Sequence, residues 1–282
     1  MRIIRSPKIM SEALRRLRSK GKTIGFVPTM GALHEGHLSL IRRARKDTDI
    51  VVVSIFVNPR QFGPKEDFRH YPRPMRKDIL LCRKERVDFI FHPSGTDIYP
   101  AGYRTFITVE GLDKVLCGKS RPGHFRGVAT VVAKLFNIVA ADIAYFGQKD
   151  AQQVIIIQRM VKDLNIPVKI KVMPIVRDKD GLALSSRNTY LSRQERQDAL
   201  VIPKSLDLAR AMIESGIKQA DRVASLMRYQ IKKNKTAKPD YIAIVDQKDL
   251  RPLDGSRIKK GALIALAIRI GNTRLIDNYI VR

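Results

Sequence analysis

Short β-branched runs alternate with amphipathic segments over the first 175 residues of the chain. The run at 50–57 is apolar except for Ser54 and has the length of a buried strand. In the segment before it, Leu38, Ile41 and Ala44 recur at a spacing that places them on one side of a helix. Strands separated by helices of this length predict a parallel sheet with helical crossovers. Ligands of such sheets bind beyond the carboxyl ends of the strands.

The same patterns predict an order of elements along the chain. The first part contains predicted strands at 23–27, 50–57, 89–91 and 142–146, and predicted helices at 38–46, 77–84, 128–139 and 150–164. The last part contains a polar loop, predicted helices at 193–215 and 220–233, a turn-rich break at 235–239, and predicted strands at 241–245, 263–270 and 275–281. Helices followed by neighbouring strands favour a smaller α+β domain. We therefore predict a boundary between residues 175 and 176.

The chain is strongly basic, and this charge limits the classes of partner to consider. Its 282 residues carry a formal net charge of +27, with 54 Lys and Arg against 27 Asp and Glu. The excess is spread over both halves rather than gathered in a tail, which favours a basic surface that attracts anionic substrates. A nucleic-acid-binding protein is the alternative of a different class, and a steep loss of binding with salt would identify it.

The cysteines and the apolar runs indicate the compartment. Only Cys82 and Cys117 are present, too few for a disulfide framework or a four-thiolate zinc site, so we expect a reducing, cytoplasmic setting. The apolar runs are all shorter than the roughly 18 residues that span a bilayer. Residues 1–20 carry Arg and Lys throughout, without the apolar centre of a secretory signal.

The densest group of chemical residues, at 28–37, lies between the first predicted strand and the first predicted helix. Glycines there allow the backbone to approach a ligand, and the following helix start offers free amides to phosphate. His34 and His37 add side-chain donors for charge that develops during phosphoryl or nucleotidyl transfer. The alternatives are a structural histidine pair and a metal site. The zinc pattern His-Glu-x-x-His is not matched, because these histidines are three residues apart rather than four.

Polar residues also follow two further predicted strands. Asn58 and Gln61 come after the strand at 50–57, where their amides could orient a small polar substrate. Lys149 suits a phosphate and Asp150 suits paired hydroxyls such as those of a ribose, while Gln153 follows one turn later. A capped turn and an N-capped helix are the structural interpretations of these two segments.

Two loops complete the candidate chemistry. Ser185, Ser186 and Arg187 provide two hydroxyls and a guanidinium, which form a phosphate clamp if the loop closes and excludes water. Arg121 and His124 flank a Pro-Gly turn before the buried helix at 128–139. They could hold a carboxylate substrate, or belong to an exposed basic turn.

Taken together, the segments at 26–37, 56–63, 121–128, 145–153 and 182–188 resemble the pantoate-beta-alanine ligase family in order, in spacing and over the whole chain. His34-Glu35-Gly36-His37 is similar to the His-x-Gly-His signature of the wider nucleotidyltransferase superfamily. Leu184 stands where the family usually has Met, a substitution that conserves volume.

The resemblance implies a fold and an overall reaction. The fold would be α/β, with a Rossmann-like parallel-sheet nucleotide-binding domain over residues 1–175 that holds ATP and pantoate. A smaller C-terminal α+β domain over residues 176–282 would close over the active site. The enzyme would join pantoate to beta-alanine through a pantoyl adenylate, releasing AMP and pyrophosphate, in pantothenate and coenzyme A biosynthesis. Mg²⁺ would accompany ATP, and the protein would be a cytoplasmic homodimer.

The resemblance also implies roles for individual residues. The catalytic residues would be His34, His37, Lys149 and Arg187. ATP would be bound by Met30, Gly31, Ala32, Leu33, His34, Glu35, Gly36, His37, Gly147, Gln148, Lys149, Asp150, Val176, Leu184, Ser185, Ser186 and Arg187. Pantoate and beta-alanine would be bound by Gln61, Gln153, Asn58, Arg121 and His124. A different nucleotidyltransferase that makes a nucleotide-linked product is the related alternative, and analysis of the products would separate the two.

Overall fold

In the part of the chain that the structure describes, a parallel six-stranded sheet is the framework of the N-terminal region. The computed structural model describes residues 1–64 and 66–282. The strands are β1 (Arg2–Ile4), β2 (Ile24–Thr29), β3 (Ile50–Ile55), β4 (Phe89–Phe91), β5 (Ile143–Gly147) and β6 (Lys169–Met173). Their order across the sheet is β1-β4-β3-β2-β5-β6, and neighbouring strands are parallel. The predicted parallel sheet is therefore confirmed.

Helices connect these strands. They are α1 (Pro7–Arg18), α2 (Glu35–Asp47), α3 (Met75–Lys84), α4 (Gly95–Ile98), α5 (Cys117–Ser120), α6 (His124–Val139) and α7 (Ala151–Asp163). The core of the sheet lies along β2 and β3, where Phe26, Val27 and Val51 to Val53 have no exposed surface. A strand covered on both faces needs apolar residues at nearly every position, which explains the composition of β3, where the buried Ser54 is the one polar residue.

The C-terminal region combines helices with an antiparallel sheet. Its elements are α8 (Arg193–Ala199), α9 (Val201–Glu214), α10 (Ala220–Lys232), β7 (Ala237–Asp246), β8 (Ala262–Ile270) and β9 (Thr273–Ile280). The strands are ordered β7-β8-β9. Apolar faces of α9 and α10 and of the sheet form a separate core that includes Leu206, Met227 and Leu266. The predicted α+β character of this region is confirmed.

The predicted single helix at 193–215 is wrong, because the chain forms α8 and α9 with a break at Leu200. Pro203 lies in the first turn of α9. Proline has no amide N–H, and its ring would clash with the carbonyl four residues earlier, at Ala199. A continuous helix through this point is therefore disfavoured.

The predicted break at 235–239 is also partly wrong, because β7 begins at Ala237. Pro239 lies within this strand, where the register of β7 against β8 shifts between Pro239 and Tyr241. β7 is an edge strand of its sheet. Proline is tolerated at an edge or a bulge, where its missing donor breaks no necessary hydrogen bond.

The described residues form two compact units. The first unit contains Met1–Lys114, Arg121–Gly147 and Ile156–Pro174, apart from residue 65. The second unit contains Val115–Ser120, Gln148–Ile155 and Ile175–Arg282. The predicted domain boundary at 175/176 stays a prediction. Within the described ranges, no helix is both long and apolar enough to cross a membrane.

Gly127 of α6 lies against the turn that follows β3, and this contact leaves no room for a side chain. An ideal Cβ at Gly127 would lie 2.1 Å from the carbonyl oxygen of Arg60. We predict that Gly127→Ala lowers the free energy of unfolding by about 1 to 3 kcal/mol, because backbone atoms must move. Chemical denaturation measures this change. Gly95→Ala is the control, since a Cβ there meets no atom within 4 Å; equal stabilities of the two variants would contradict the account.

Candidate active site

The candidate loops of the first unit begin at the carboxyl ends of neighbouring strands. β2 ends at Thr29 and β3 at Ile55, and these two residues are paired in the parallel register. β5 lies on the other side of β2. The chain runs from β2 to β3 in one direction and from β5 to β6 in the other, so the strand order reverses between β2 and β5. Such a switch point is where open α/β sheets bind ligands.

The loop from β2 to α2 is held in an unusual backbone conformation by a buried acid. Gly31 and Ala32 both have positive φ, at 83° and 51°. The carboxylate of Asp78, which is 1% exposed, accepts the amide of Ala32 at 2.9 Å and that of Leu33 at 2.8 Å. Burial raises the pKa of Asp78, and the two amides counter this effect by stabilising the carboxylate. Asp78 thus fixes the loop that leads to the histidines.

The two histidines lie at the start of α2, and each ring accepts a backbone amide. The ring of His34 accepts the Gly36 amide on Nδ1 at 3.2 Å, and the ring of His37 accepts the His34 amide on Nδ1 at 3.4 Å. A neutral imidazole with Nδ1 as acceptor carries its proton on Nε2. The ring centroids are 4.1 Å apart. The pair therefore provides two neighbouring Nε2–H donors.

The prediction that the helix start offers free amides to phosphate is wrong for two of its amides, because those of Gly36 and His37 donate to atoms of His34. In the loop before the helix, the amides of Ala32 and Leu33 donate to Asp78. Sequence alone does not reveal these acceptors, because Asp78 lies 45 residues away from Leu33. The imidazole N–H groups, rather than these amides, are the donors suited to an anion.

The turn after β3 holds a buried amide network. Asn58, which is 1% exposed, donates from Nδ2 to the side-chain oxygen of Gln61 and to the carbonyl of Gly127, both at 3.1 Å. Its Oδ1 accepts the hydroxyl of Tyr99 at 2.8 Å. The Gln61 Nε2 donates to the sulfur of Met30 at 3.0 Å. Asn58, Gln61 and Met30, three predicted site residues, are therefore brought together.

Arg121 and His124 contact the backbone of the same turn. The ring of His124 donates from Nδ1 to the Gln61 carbonyl at 2.8 Å, while its Nε2 accepts from Arg121 at 3.0 Å. Arg121 also forms a bidentate pair with Glu66, at 2.7 and 2.5 Å. Partial burial opposes ionisation of Glu66, but the guanidinium outweighs it and lowers the pKa of Glu66. These groups fix the position of Gln61.

In the second unit, the segment after β5 is anchored by a residue near the C-terminus. Asn278, which is 3% exposed, donates from Nδ2 to the carbonyls of Gln148 and Lys149 at 2.9 and 3.0 Å, and its Oδ1 accepts from the Gln148 side chain at 3.1 Å. The ammonium of Lys149 lies 3.8 Å from the Asp150 carboxylate. Gln153 is half-buried on α7.

The segment from Val176 to Arg187 is a short hairpin followed by a 3-10 turn. The amide of Leu184 donates to the carbonyl of Val176 at 3.0 Å, which aligns these two predicted residues. Arg177 binds the buried carboxylate of Asp277 at 2.6 and 3.0 Å. The hydroxyl of Ser185 accepts the Arg187 amide at 3.3 Å and caps the turn. These hydrogen bonds therefore hold the backbone of the segment that carries the predicted phosphate clamp.

The sequence patterns did not identify several residues of these networks, among them Asp78, Tyr99 and Asn278. Asp78 is an acid on the helix at 77–84, whose other buried positions are apolar, and this is the one indication that the sequence contained. The hydrogen-bond partner of Tyr99 is 41 residues away in the sequence, and that of Asn278 is 130 residues away, so no local pattern indicates them. Over the described residues, no group of three or more His, Cys, Asp or Glu is arranged to hold a metal ion.

A parallel α/β sheet with a His-x-Gly-His helix start at its switch point is the arrangement of the nucleotidyltransferase class. Within that class, the family model of pantoate-beta-alanine ligase matches residues 2–280. The chain belongs to the pantoate-beta-alanine ligase family.

Relatives agree with this assignment over the full length. The pantothenate synthetase of Sulfurihydrogenibium sp. is 55% identical over 279 residues, covering 99% of this chain and 99% of that protein. The pantothenate synthetase of Heliobacterium modesticaldum is 54% identical over 281 residues, covering 100% of this chain and 99% of the relative.

Solved structures have the same fold. A crystal structure of pantothenate synthetase from Thermus thermophilus matches with a TM-score of 0.94 and 43% identity, covering 99% of both chains. The pantoate-beta-alanine ligase from Francisella tularensis, crystallised with beta-gamma ATP and beta-alanine, matches with a TM-score of 0.81 and 38% identity. The match covers 99% of this chain and 97% of that chain.

We predict that Asp78→Asn raises the KM for ATP about tenfold, which corresponds to about 1.4 kcal/mol. An Asn side chain can accept one of the two amides, but its own NH₂ group faces the other, so the loop loses its conformation. Steady-state kinetics with varied ATP measures the effect. Asp49→Asn is the matched control, because Asp49 accepts the Thr23 amide at the amino end of the sheet. An unchanged KM for ATP in Asp78→Asn would contradict the role of Asp78.

Proposed function

We propose that this protein catalyses the ATP-dependent condensation of pantoate with beta-alanine to give pantothenate, AMP and pyrophosphate. The observation that carries the proposal is the match of the pantoate-beta-alanine ligase family to residues 2–280. The two Nε2–H donors at the start of α2 support it, because adenylation develops negative charge on phosphate oxygens.

The first step forms an acyl adenylate. A carboxylate oxygen of pantoate attacks the α-phosphorus of ATP, the bond from that phosphorus to the bridging oxygen breaks, and pyrophosphate leaves. In the first unit, His34 and His37 would donate to phosphate oxygens as charge develops, within an ATP site formed by residues 30–37. In the second unit, Lys149 and Arg187 would provide positive charge for the phosphates. Their charges lower the barrier most if they act in the transition state.

Further residues of the second unit would hold the nucleotide. Asp150 would bind the ribose hydroxyls, and Val176 would contact the adenine. Leu184, Ser185 and Ser186 would cover the triphosphate, within an ATP-binding set that also includes Gly147 and Gln148. The anchoring of Gln148 and Lys149 by Asn278 supports this assignment, since it fixes the backbone from which these side chains project.

The second step consumes the adenylate. The amine of beta-alanine attacks the acyl carbon, the acyl–oxygen bond to AMP breaks, and the nitrogen releases a proton as the amide forms. Gln61 and Gln153 would bind pantoate, with Gln61 also close to beta-alanine and Asn58 behind it. Arg121 and His124, which hold the Gln61 carbonyl, would bind the substrates at the same site. The reaction requires no covalent intermediate on the protein.

Mg²⁺ would enter with ATP. The catalytic side chains assigned to the phosphates, His34, His37, Lys149 and Arg187, are nitrogen donors, whereas Mg²⁺ prefers oxygen ligands and retains several waters. This donor set fits an ion coordinated by the phosphates themselves. When bound with ATP, Mg²⁺ would supply positive charge that offsets the charge of the phosphates.

The family resemblance also supports a cytoplasmic homodimer. Light scattering coupled to size-exclusion chromatography would give the mass in solution, which we expect to be about twice the 32.0 kDa of the chain. A mass equal to one chain at micromolar concentration would contradict the dimer.

The test of the function is pantoate-dependent exchange of labelled pyrophosphate into ATP, with Mg²⁺ present and beta-alanine omitted. Exchange that requires pantoate is expected, because adenylation is reversible and needs no amine. Folded protein that binds ATP without such exchange would contradict the ligase function, and product analysis would then test formation of a nucleotide-linked product.

We predict that His37→Ala lowers the single-turnover rate of adenylation by about two to three orders of magnitude, as for loss of a donor that acts in the transition state. Rapid-quench measurement of AMP and adenylate gives the rate. Gln61→Ala is the contrasting variant, which should instead raise the pantoate concentration required. An adenylation rate in His37→Ala equal to that of the wild type would exclude this role.

A further inference from the structure

Backbone groups and the hydroxyl of Tyr99 together hold the carboxamide of Asn58 in one orientation. Its Nδ2 donates to the carbonyl of Gly127, which can only accept, and its Oδ1 accepts the amide of Arg60 at 3.2 Å, which can only donate. Rotating the carboxamide by 180° would place donor against donor and acceptor against acceptor. With Gln61 and Tyr99 as further partners, all four hydrogen-bonding positions of Asn58 are used.

This orientation determines that of Gln61. Because the second Nδ2–H of Asn58 donates to the Gln61 Oε1, the oxygen of the Gln61 amide is held on the Asn58 side. The Gln61 Nε2 is then directed to the other side, where it meets the sulfur of Met30 at 3.0 Å. A thioether is a weak acceptor, so an oxygen of a ligand would bind this N–H group better. The protein therefore presents Gln61 as a donor.

Tyr99 is at the other end of this chain of hydrogen bonds. Its side chain is buried, and burial raises the pKa of its hydroxyl, which therefore stays protonated as a donor. Its ring packs against Phe56 at 6.5 Å and against Tyr103 at 5.1 Å, and the Arg60 guanidinium lies 5.7 Å from the ring centre. These contacts fix the direction of the hydroxyl toward Asn58.

We propose that Tyr99 is a positioning residue for substrate recognition, acting through Asn58 to hold the Gln61 amide with its N–H group toward the substrate. The site would then select an oxygen acceptor, a carboxylate or hydroxyl oxygen of the acid substrate, at the position of Nε2. This inference rests on the proposed function, because Gln61 is assigned there to pantoate. To that assignment it adds a role for Tyr99, and it makes Gln61 the donor of the hydrogen bond to pantoate.

The first test compares Tyr99→Phe with Tyr103→Phe. Tyr99→Phe removes one hydroxyl and keeps the ring, so we expect the pantoate KM to rise about threefold to tenfold, with the ATP KM unchanged. Tyr103→Phe removes a hydroxyl from the neighbouring ring and should have the pantoate KM of the wild type. A general loss of structure would instead change both KM values and the melting temperature. Equal pantoate KM values in the two variants would overturn the proposal.

A second variant reverses the direction of the network. The carboxylate in Asn58→Asp can accept but not donate, so it attracts the Gln61 N–H group and turns Oε1 toward the substrate. We expect the pantoate KM to rise more than in Tyr99→Phe, by at least tenfold. Asn58→Ser retains a donor, so we expect its pantoate KM to lie between those of the wild type and Asn58→Asp. A wild-type pantoate KM in Asn58→Asp would show that Asn58 does not control the orientation of Gln61. This outcome would overturn the proposal even if Tyr99→Phe failed to fold.

A double-mutant cycle tests whether Tyr99 acts through Gln61. In the Gln61→Ala background, Tyr99→Phe should have no further effect on the pantoate KM. The same fold-change in both backgrounds would show that Tyr99 acts independently and would overturn the proposal. Pantoate-dependent exchange by the wild-type enzyme is measured alongside. Its absence would reject the proposed function, whereas its presence with an unaffected Tyr99→Phe enzyme would reject the inference alone.

Discussion

The position of β2 between β3 and β5 is the constraint on which the candidate site of the first unit depends. Parallel strands end at the same edge of a sheet, so this order brings the loop after β2 beside the turn after β3. The contact between Met30 and Gln61 follows from that neighbourhood, since Thr29 and Ile55 are paired. The crossover helices cover the faces of the sheet, so the candidate site residues lie at the carboxyl ends of the strands.

Within that edge, buried hydrogen bonds decide which atoms are available to substrates. A buried polar group must find a partner, and the partner fixes its direction. Asp78 accepts two amides of its loop, and the rings of His34 and His37 each accept an amide on Nδ1. Asn58 holds the oxygen of Gln61 in the same way. The orientation of the donors in the candidate site thus depends on buried groups next to them.

Sequence patterns predicted the parts of this structure that depend on local composition. Apolar runs and helical periodicity located the central strands and the helix that begins at His34-Glu35-Gly36-His37, and the glycines and polar residues after them located the candidate loops. β1 and β6 were not predicted, because both are edge strands without a buried apolar run: two of the three residues of β1 are exposed, and β6 has alternating lysines. The roles of Asp78 and Asn278 could not be predicted, since their partners are distant in sequence and only the fold brings them together.

The central claim is that the carboxylate of pantoate is joined to AMP before the amine attacks. Pantoate labelled with ¹⁸O in both carboxylate oxygens tests it most directly, with the products separated and weighed by mass spectrometry after complete turnover with ATP and beta-alanine. The account predicts one ¹⁸O in the phosphate of AMP and one in the new amide of pantothenate, because the adenylate oxygen leaves with AMP. AMP free of label would contradict the acyl-adenylate pathway.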